Sequence, residues 1–194
     1  MVSTEPEEGF RSRRKLLVAA GTTVAGAGAV ALAGCTGSTP LRVKVRNGAT
    51  VAPSDIGILN GLLDLEYYAI AAYAAGIPLL HRPAARAAKQ FLAQELAHAA
   101  ALSDLVKRAR GKPSLPRAGY DLGHPGTGLE VLALLHRLER AQLAAYLEMI
   151  PRLSGGRIRS AAAAIFANDA QHVSVLRSHL GLPPVPAAFV TGGE

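Results

Sequence analysis

From Ser54 onward, apolar residues recur at steps of three and four, the period of an α-helix with one buried face. Four such segments have legible ends. The first is predicted from about Ser54 to Ala75, with Ser54 or Asp55 as its cap and Gly76 then Pro78 as its stop. Its inward seam reads Leu59, Leu62, Glu66, Ile70, Tyr73. The second opens near Pro83, which suits a first helical turn, and closes at Gly111. A loop from Pro113 to Gly126 is long enough to cross between halves of a bundle. Thr127-Gly128-Leu129-Glu130 has the form of a capping box and opens the third helix, whose seam is Leu132, Leu135, Glu139, Leu143, Tyr146. Pro151 to Gly156 ends that helix, and the fourth is predicted from about Arg157 to Leu180, before Gly181-Leu182-Pro183-Pro184. The pattern predicts an all-α chain whose residues 54–182 form a four-helix bundle, followed by an aperiodic tail over 183–194.

Polar residues interrupt the seams at regular places, and these interruptions repeat. Phe91-Leu92-Ala93-Gln94-Glu95-Leu96-Ala97-His98 puts an acid and an imidazole three residues apart, on one helical face. Ile165-Phe166-Ala167-Asn168-Asp169-Ala170-Gln171-His172 writes the same order of apolar, amide, acid and imidazole again. Upstream of each stands a partner: Glu66 with Ala71-Ala72-Tyr73, and Glu139 with Ala144-Ala145-Tyr146. The bundle is therefore two copies of one helix pair, joined by the longer middle crossover.

Glu66, Glu95, Glu139 and Asp169 all occupy seam positions, so four carboxylates face inward. Desolvating one ion costs several kcal/mol even after relaxation, whereas a whole domain is stable by about 5–15 kcal/mol. The seams offer no Lys or Arg as partners. Multivalent cations are the natural compensation: two divalent ions balance four carboxylates and leave His98 and His172 as further neutral ligands.

One Glu from each of two helices, plus acid-x-x-His from each of the other two, resembles the ligand pattern of the ferritin-like di-iron and di-manganese carboxylate proteins. Over about Ser54 to Leu182 the chain is similar to exported bacterial ferritin-like domain proteins. That resemblance implies Glu66 and Glu139 as terminal or bridging ligands, Glu95 and Asp169 as bridging ligands, and His98 and His172 as terminal ones. It implies two iron ions as cofactor, with manganese or zinc as alternatives, and gives Tyr73 and Tyr146 a supporting role through hydrogen bonds. One residue departs from the family pattern. Asp169 stands where Glu is usual, and its carboxylate is shorter by about 1.5 Å, one carbon–carbon bond. Metal–ligand distances are held within about 0.2 Å. The fourth helix is thus expected to approach more closely, or its acid to bind through water. The ion served by Asp169 and His172 is expected to be the weaker.

Ahead of the bundle, residues 1–35 read as an address. Arg11-Ser12-Arg13-Arg14-Lys15 is a basic start carrying the pair Arg13 and Arg14, and Leu16 to Ala33 is uncharged and mildly apolar. It ends in Leu32-Ala33-Gly34-Cys35. The combination resembles a twin-arginine export signal followed by lipidation at Cys35. The uncleaved segment, long enough to just span a bilayer, is the alternative anchor. Either way the expected partners are the export machinery and the membrane, and the domain sits on the outer face of the cytoplasmic membrane, in the cell envelope. Residues 36–53 read as a linker. Cys35 is the only cysteine, so no intrachain disulfide can form.

Composition adds little to this picture. Hydrophobic residues make up 49% of the 194 and charged ones 18%, which suits one globular domain. The formal net charge of +7 is spread along the chain with few aromatics, which argues against nucleic acid and for an anionic surface such as a membrane. His136 and His179 lie one and two turns from the repeated constellation and read as edge histidines. His81 and His124 fall in loops, and Tyr67 and Tyr68 read as packing. There is no phosphate-binding glycine loop, Ser-His-Asp order or cysteine-rich metal site. Three functions stay open: a di-iron oxidase or ferroxidase that oxidises Fe(II) or reacts with dioxygen or peroxide, a metal-binding lipoprotein without turnover, and a metal-free envelope interaction module. Self-association is compatible with all three, though a closed iron-storage shell conflicts with a lipid tether on every chain.

Overall fold

In the computed structural model, the described residues are 51–193. The twin arginine Arg13 and Arg14, Cys35 and most of the 36–53 linker lie outside them. Four helices follow one another: α1 (Ile56–Gly76), α2 (Arg82–Arg108), α3 (Gly128–Met149) and α4 (Gly156–His179). No strand occurs among the described residues. Short 3-10 turns at Pro53–Asp55, Ile77–Leu79 and Ile150–Arg152 tighten the corners. The last two each hold a proline, which lacks the N–H that would continue the helix.

One end of the bundle gathers the start of α1, the end of α2 and the α3–α4 corner. There the Asp55 carboxylate is fully buried and accepts from the Ser154 backbone N–H at 3.0 Å and the Ser154 hydroxyl at 2.8 Å. Of the two cap candidates, Ser54 and Asp55, it is Asp55 that stands at the cap position, yet it makes no capping bond and ties α1 to the far corner instead. The opposite end joins the α1–α2 corner to the start of α3. A Cβ on Gly76 would fall 2.5 Å from Val131 Cγ1, and one on Gly128 would fall 2.8 Å from the Leu79 carbonyl oxygen. Glycine is what lets the backbones meet there.

The crossover runs along α1 from one end to the other. Asn60 holds its beginning, donating to the Lys112 carbonyl at 3.0 Å and accepting from the Ser114 N–H at 2.9 Å. Tyr68 holds its later part, donating to the Asp121 carbonyl at 2.6 Å and stacking on Tyr120 with ring centroids 5.5 Å apart. The capping box then opens α3: the Thr127 hydroxyl accepts from the Glu130 N–H at 3.3 Å, and the Glu130 carboxylate accepts from the Thr127 N–H at 2.9 Å.

The apolar interior is divided in two. Leu59, Leu62, Leu63, Leu102, Leu105 and Ile158 fill the end near Asp55, and Val131, Leu132, Leu135, Phe91 and Leu176 fill the other. Each such side chain contributes about 1.5–3 kcal/mol on full burial. Between the two apolar layers lies a polar one.

Candidate metal centre

The repeat places its polar residues at matching heights on four helices. Glu66 on α1, Glu95 on α2, Glu139 on α3, and Asp169 and His172 on α4 are 0% exposed, and His98 on α2 is 6% exposed. The structure thus brings all six predicted residues together in the polar layer. Tyr73 and Tyr146, also 0% exposed, brace it reciprocally. The Tyr73 hydroxyl donates to Glu139 Oε1 and the Tyr146 hydroxyl to Glu66 Oε1, each at 2.5 Å. Each tyrosine therefore serves the carboxylate of the other half, which is why both recur at the same distance from their own glutamate.

Two groups of potential ligand atoms result. Glu95, Glu139, Asp169 and His172 each present one atom within 4.8 Å of the others, and so do Glu66, His98 and Asp169. Asp169 belongs to both. His172 Nδ1 lies 3.1 Å from Glu95 Oε1 and from Glu139 Oε1. His98 Nδ1 lies 3.5 Å from Glu66 Oε2 and 3.4 Å from Asp169 Oδ1. The short acid of α4 thus reaches both imidazoles, though only at 4.0 Å from His172. The smaller group is the one around His98, whereas residue length alone had pointed to the His172 side as the poorer.

A metal fits this donor set by a direct test, the fate of its buried polar atoms. Glu66 Oε2, Glu95 Oε1, Glu139 Oε2, both Asp169 oxygens and His98 Nδ1 are buried without a hydrogen-bond partner. An unpaired buried polar atom costs about 1–3 kcal/mol, and more when charged. Six such atoms converging in one layer suit a cation, and carboxylate oxygen with imidazole nitrogen suits iron, manganese or zinc.

The electrostatics agree. Burial first, and then the charge of Glu95, raises the Glu66 carboxyl to about 8. Burial and the charges of Glu66, Glu95 and Glu139 push Asp169 well above the usual carboxylate range. Burial likewise raises Glu139, against the opposing pull of His172. Glu95 goes the other way: burial would raise it, but the neighbouring His172 and His98 outweigh that and hold it low. Burial would depress both imidazoles, yet the surrounding carboxylates raise His98 to about 10 and His172 to about 9. Tyr73 and Tyr146 stay neutral donors, because burial and then the adjacent carboxylates keep their hydroxyls protonated. The layer as a whole attracts positive charge.

Three further residues support the layer in ways their spacing does not announce. His172 Nε2 meets Gln94 Oε1 at 2.8 Å, so the side chain of α2 orients an imidazole of α4. Phe91 stacks on the same ring with centroids 4.1 Å apart. Gln142 Nε2 donates to Glu95 Oε2 at 3.4 Å. The repeated amide directly before each acid was the signal for the first. Gln142 had none, since the first half carries Ala69 in its place. The remaining histidines lie elsewhere. His136 is buried outside both ligand groups, and His81 and His179 meet edge to face at the end of the bundle, with centroids 5.8 Å apart.

Among curated proteins none matches this chain. Its backbone is similar to the crystal structure of a conserved hypothetical protein from Mycobacterium tuberculosis, with a TM-score of 0.64 and 19% identity over 70% of this chain and 96% of that one. It is also similar to a dodecameric thioferritin, the bacterioferritin-related protein of Bacteroides fragilis, with a TM-score of 0.60 and 22% identity over 68% of this chain and 88% of that one. At those identities the likeness speaks for the fold. The family model described as the ferritin-like domain matches residues 54–182, the stretch that holds the four helices and every residue of the polar layer, and the chain belongs to that family.

Proposed function

We propose that this chain is an exported, membrane-anchored ferritin-like metalloprotein with a carboxylate-bridged pair of metal ions, iron or manganese before zinc. The observation that carries the reading is the set of orphaned, inward-facing donor atoms on Glu66, Glu95, His98, Glu139 and Asp169. In this reading Glu66 and Glu139, terminal or bridging, would hold the ions together with Nδ1 of His98 and His172, and Glu95 and Asp169 would be shared between them. A redox-active pair held there would accept electrons from Fe(II) and pass them to dioxygen or peroxide, which is reduced.

The protein's own residues set the terms of that chemistry. Tyr73 and Tyr146 each occupy one oxygen of an end glutamate with a short donated bond, which leaves the other oxygen for an ion. Gln94 accepts from His172 Nε2 and so keeps the Nδ1 lone pair turned inward. The leucine layers above and below exclude water and strengthen every charge interaction between them. Arg13 and Arg14 address the chain to the twin-arginine machinery, and a lipid on Cys35 holds it to the outer face of the membrane. Among the described residues no helix is long and apolar enough to cross a membrane. Self-association of a few copies fits the proposal, and the dodecamer formed by the Bacteroides fragilis protein supports looking for it.

The test is metal content and thermal midpoint of the full chain, with and without added Fe(II). Wild type should carry two ions per chain, and its midpoint should fall on chelation, since an ion bound only to the folded state stabilises it by about 2.7 kcal/mol at a hundredfold excess over its dissociation constant. Glu95→Ala should lose both ions, because Glu95 Oε1 lies 3.1 Å from His172 Nδ1 and 3.8 Å from His98 Nδ1 and so stands within reach of both imidazoles. A wild-type chain that binds no ion and whose midpoint ignores metal overturns the proposal.

A further inference from the structure

A cavity of about 220 Å³ opens between α2 and α4 and ends on the polar layer. Its lining is graded by depth. Gln90 and Gln171 stand exposed at the mouth, Gln94 and Asn168 are half-buried below them, and Phe91 with His172 forms the buried floor. No Lys, Arg, Asp or Glu lines it. The cavity therefore offers a ladder of neutral amides from solvent to an imidazole that faces the carboxylates.

The repeat shows that bundle packing alone does not require this ladder. On the His98 side, the positions equivalent to Gln90 and Gln171 are Ala164 and Ala97. The chain holds amides at the mouth of the cavity and methyl groups at the equivalent positions of the repeat. Amide oxygens are hard donors of the kind that replace water around iron, manganese and similar divalent ions, and the unpartnered donor atoms of the polar layer lie behind the floor.

We propose that this cavity is the loading port of the centre, through which divalent cations pass from amide to amide and arrive first beside His172. The inference rests on the metal-binding reading above, and its test separates the two. The measurement is cobalt(II) uptake by the chelator-treated full chain, followed by visible absorption in stopped flow, with stoichiometry at the endpoint and helix content by circular dichroism. Ala87→Phe and Val175→Phe fill the cavity from opposite walls without touching a proposed ligand. Each should slow uptake at least tenfold while the endpoint ratio and the helix signal stay at the wild-type values. Gln90→Lys, at the exposed mouth, should slow uptake in a way that added salt relieves. Ala164→Phe, exposed on the opposite side, should load like wild type. If the two filled variants and Gln90→Lys all load as fast as wild type, the port is wrong and the metal centre stands. If wild type takes up no cobalt, both readings fall together.

Discussion

Gln94 and Asn168 stand at the same place in the two halves, directly before the acid, yet only one finds an imidazole. Gln94 Oε1 meets His172 Nε2 at 2.8 Å, while Asn168 Oδ1 is buried without a partner. Helix α4 is one methylene short twice in succession, at Asn168 and at Asp169, so the centre's two halves are inequivalent. Hydrogen-bonding partners behind a ligating histidine contribute about 10–100-fold in metal affinity. Gln94→Leu should therefore weaken the ion beside His172 by about that factor and leave the His98 side nearly unchanged, a difference that competitive titration with a chromophoric chelator resolves. Equal weakening of both ions would show that Gln94 acts through general packing instead.

Among the helices, the ends repay comparison. Helix α4 stops with Gly181 in the left-handed conformation at φ 72°. The Leu182 N–H reaches the Arg177 carbonyl at 2.9 Å and the Gly181 N–H the Ser178 carbonyl at 3.2 Å, the two bonds of a Schellman end. Helix α2 makes the same two bonds, Gly111 N–H to Val106 and Arg110 N–H to Lys107, both at 2.9 Å, but with Arg110 at φ 59°. The helix therefore ends at Arg108, ahead of the Gly111 at which the sequence pattern closes it. The glycine is there for a neighbour, because a Cβ on it would sit 3.0 Å from Ile56 side-chain atoms. A non-glycine residue in the left-handed region costs about 1–2 kcal/mol. Arg110→Gly should stabilise the protein by roughly 0.5–1 kcal/mol after the larger entropy lost by glycine on folding, seen as a higher midpoint in urea with unchanged slope.

At the scale of the whole molecule, the two halves are locked at opposite ends by different means. Buried hydrogen bonds from Ser154 to Asp55 close one end, and the backbone contact of Gly128 with Leu79 closes the other. These contacts hold the helices that carry the polar layer together at both ends. The proposed address at the N-terminus is a separate matter from the fold. Changing Arg13 and Arg14 together to Lys should abolish export, because the paired arginines are read by a receptor and not as net charge. Fractionation of cells carrying that variant, probed for the chain outside the cytoplasmic membrane, checks it. Undiminished export would reduce the segment to an ordinary signal or anchor.

The four helices, the capping box at Thr127 and the inward set of Glu66, Glu95, His98, Glu139, Asp169 and His172 were legible in the sequence, because a period of three to four residues fixes which side chains share a buried face. The repeat added the pairing of halves. Other features were settled only by the tertiary structure, since they depend on distances between helices that periodicity does not encode. The exchange of Tyr73 and Tyr146 between halves is one, and the service of Gln94 to an imidazole on another helix is a second. Asp55 became a tie to Ser154, where local sequence had suggested a cap. The shared acid Asp169 is the clearest case, at 3.4 Å from His98 Nδ1 but 4.0 Å from His172 Nδ1. Its length is a property of the residue, but its reach depends on how closely α4 lies against α1 and α2.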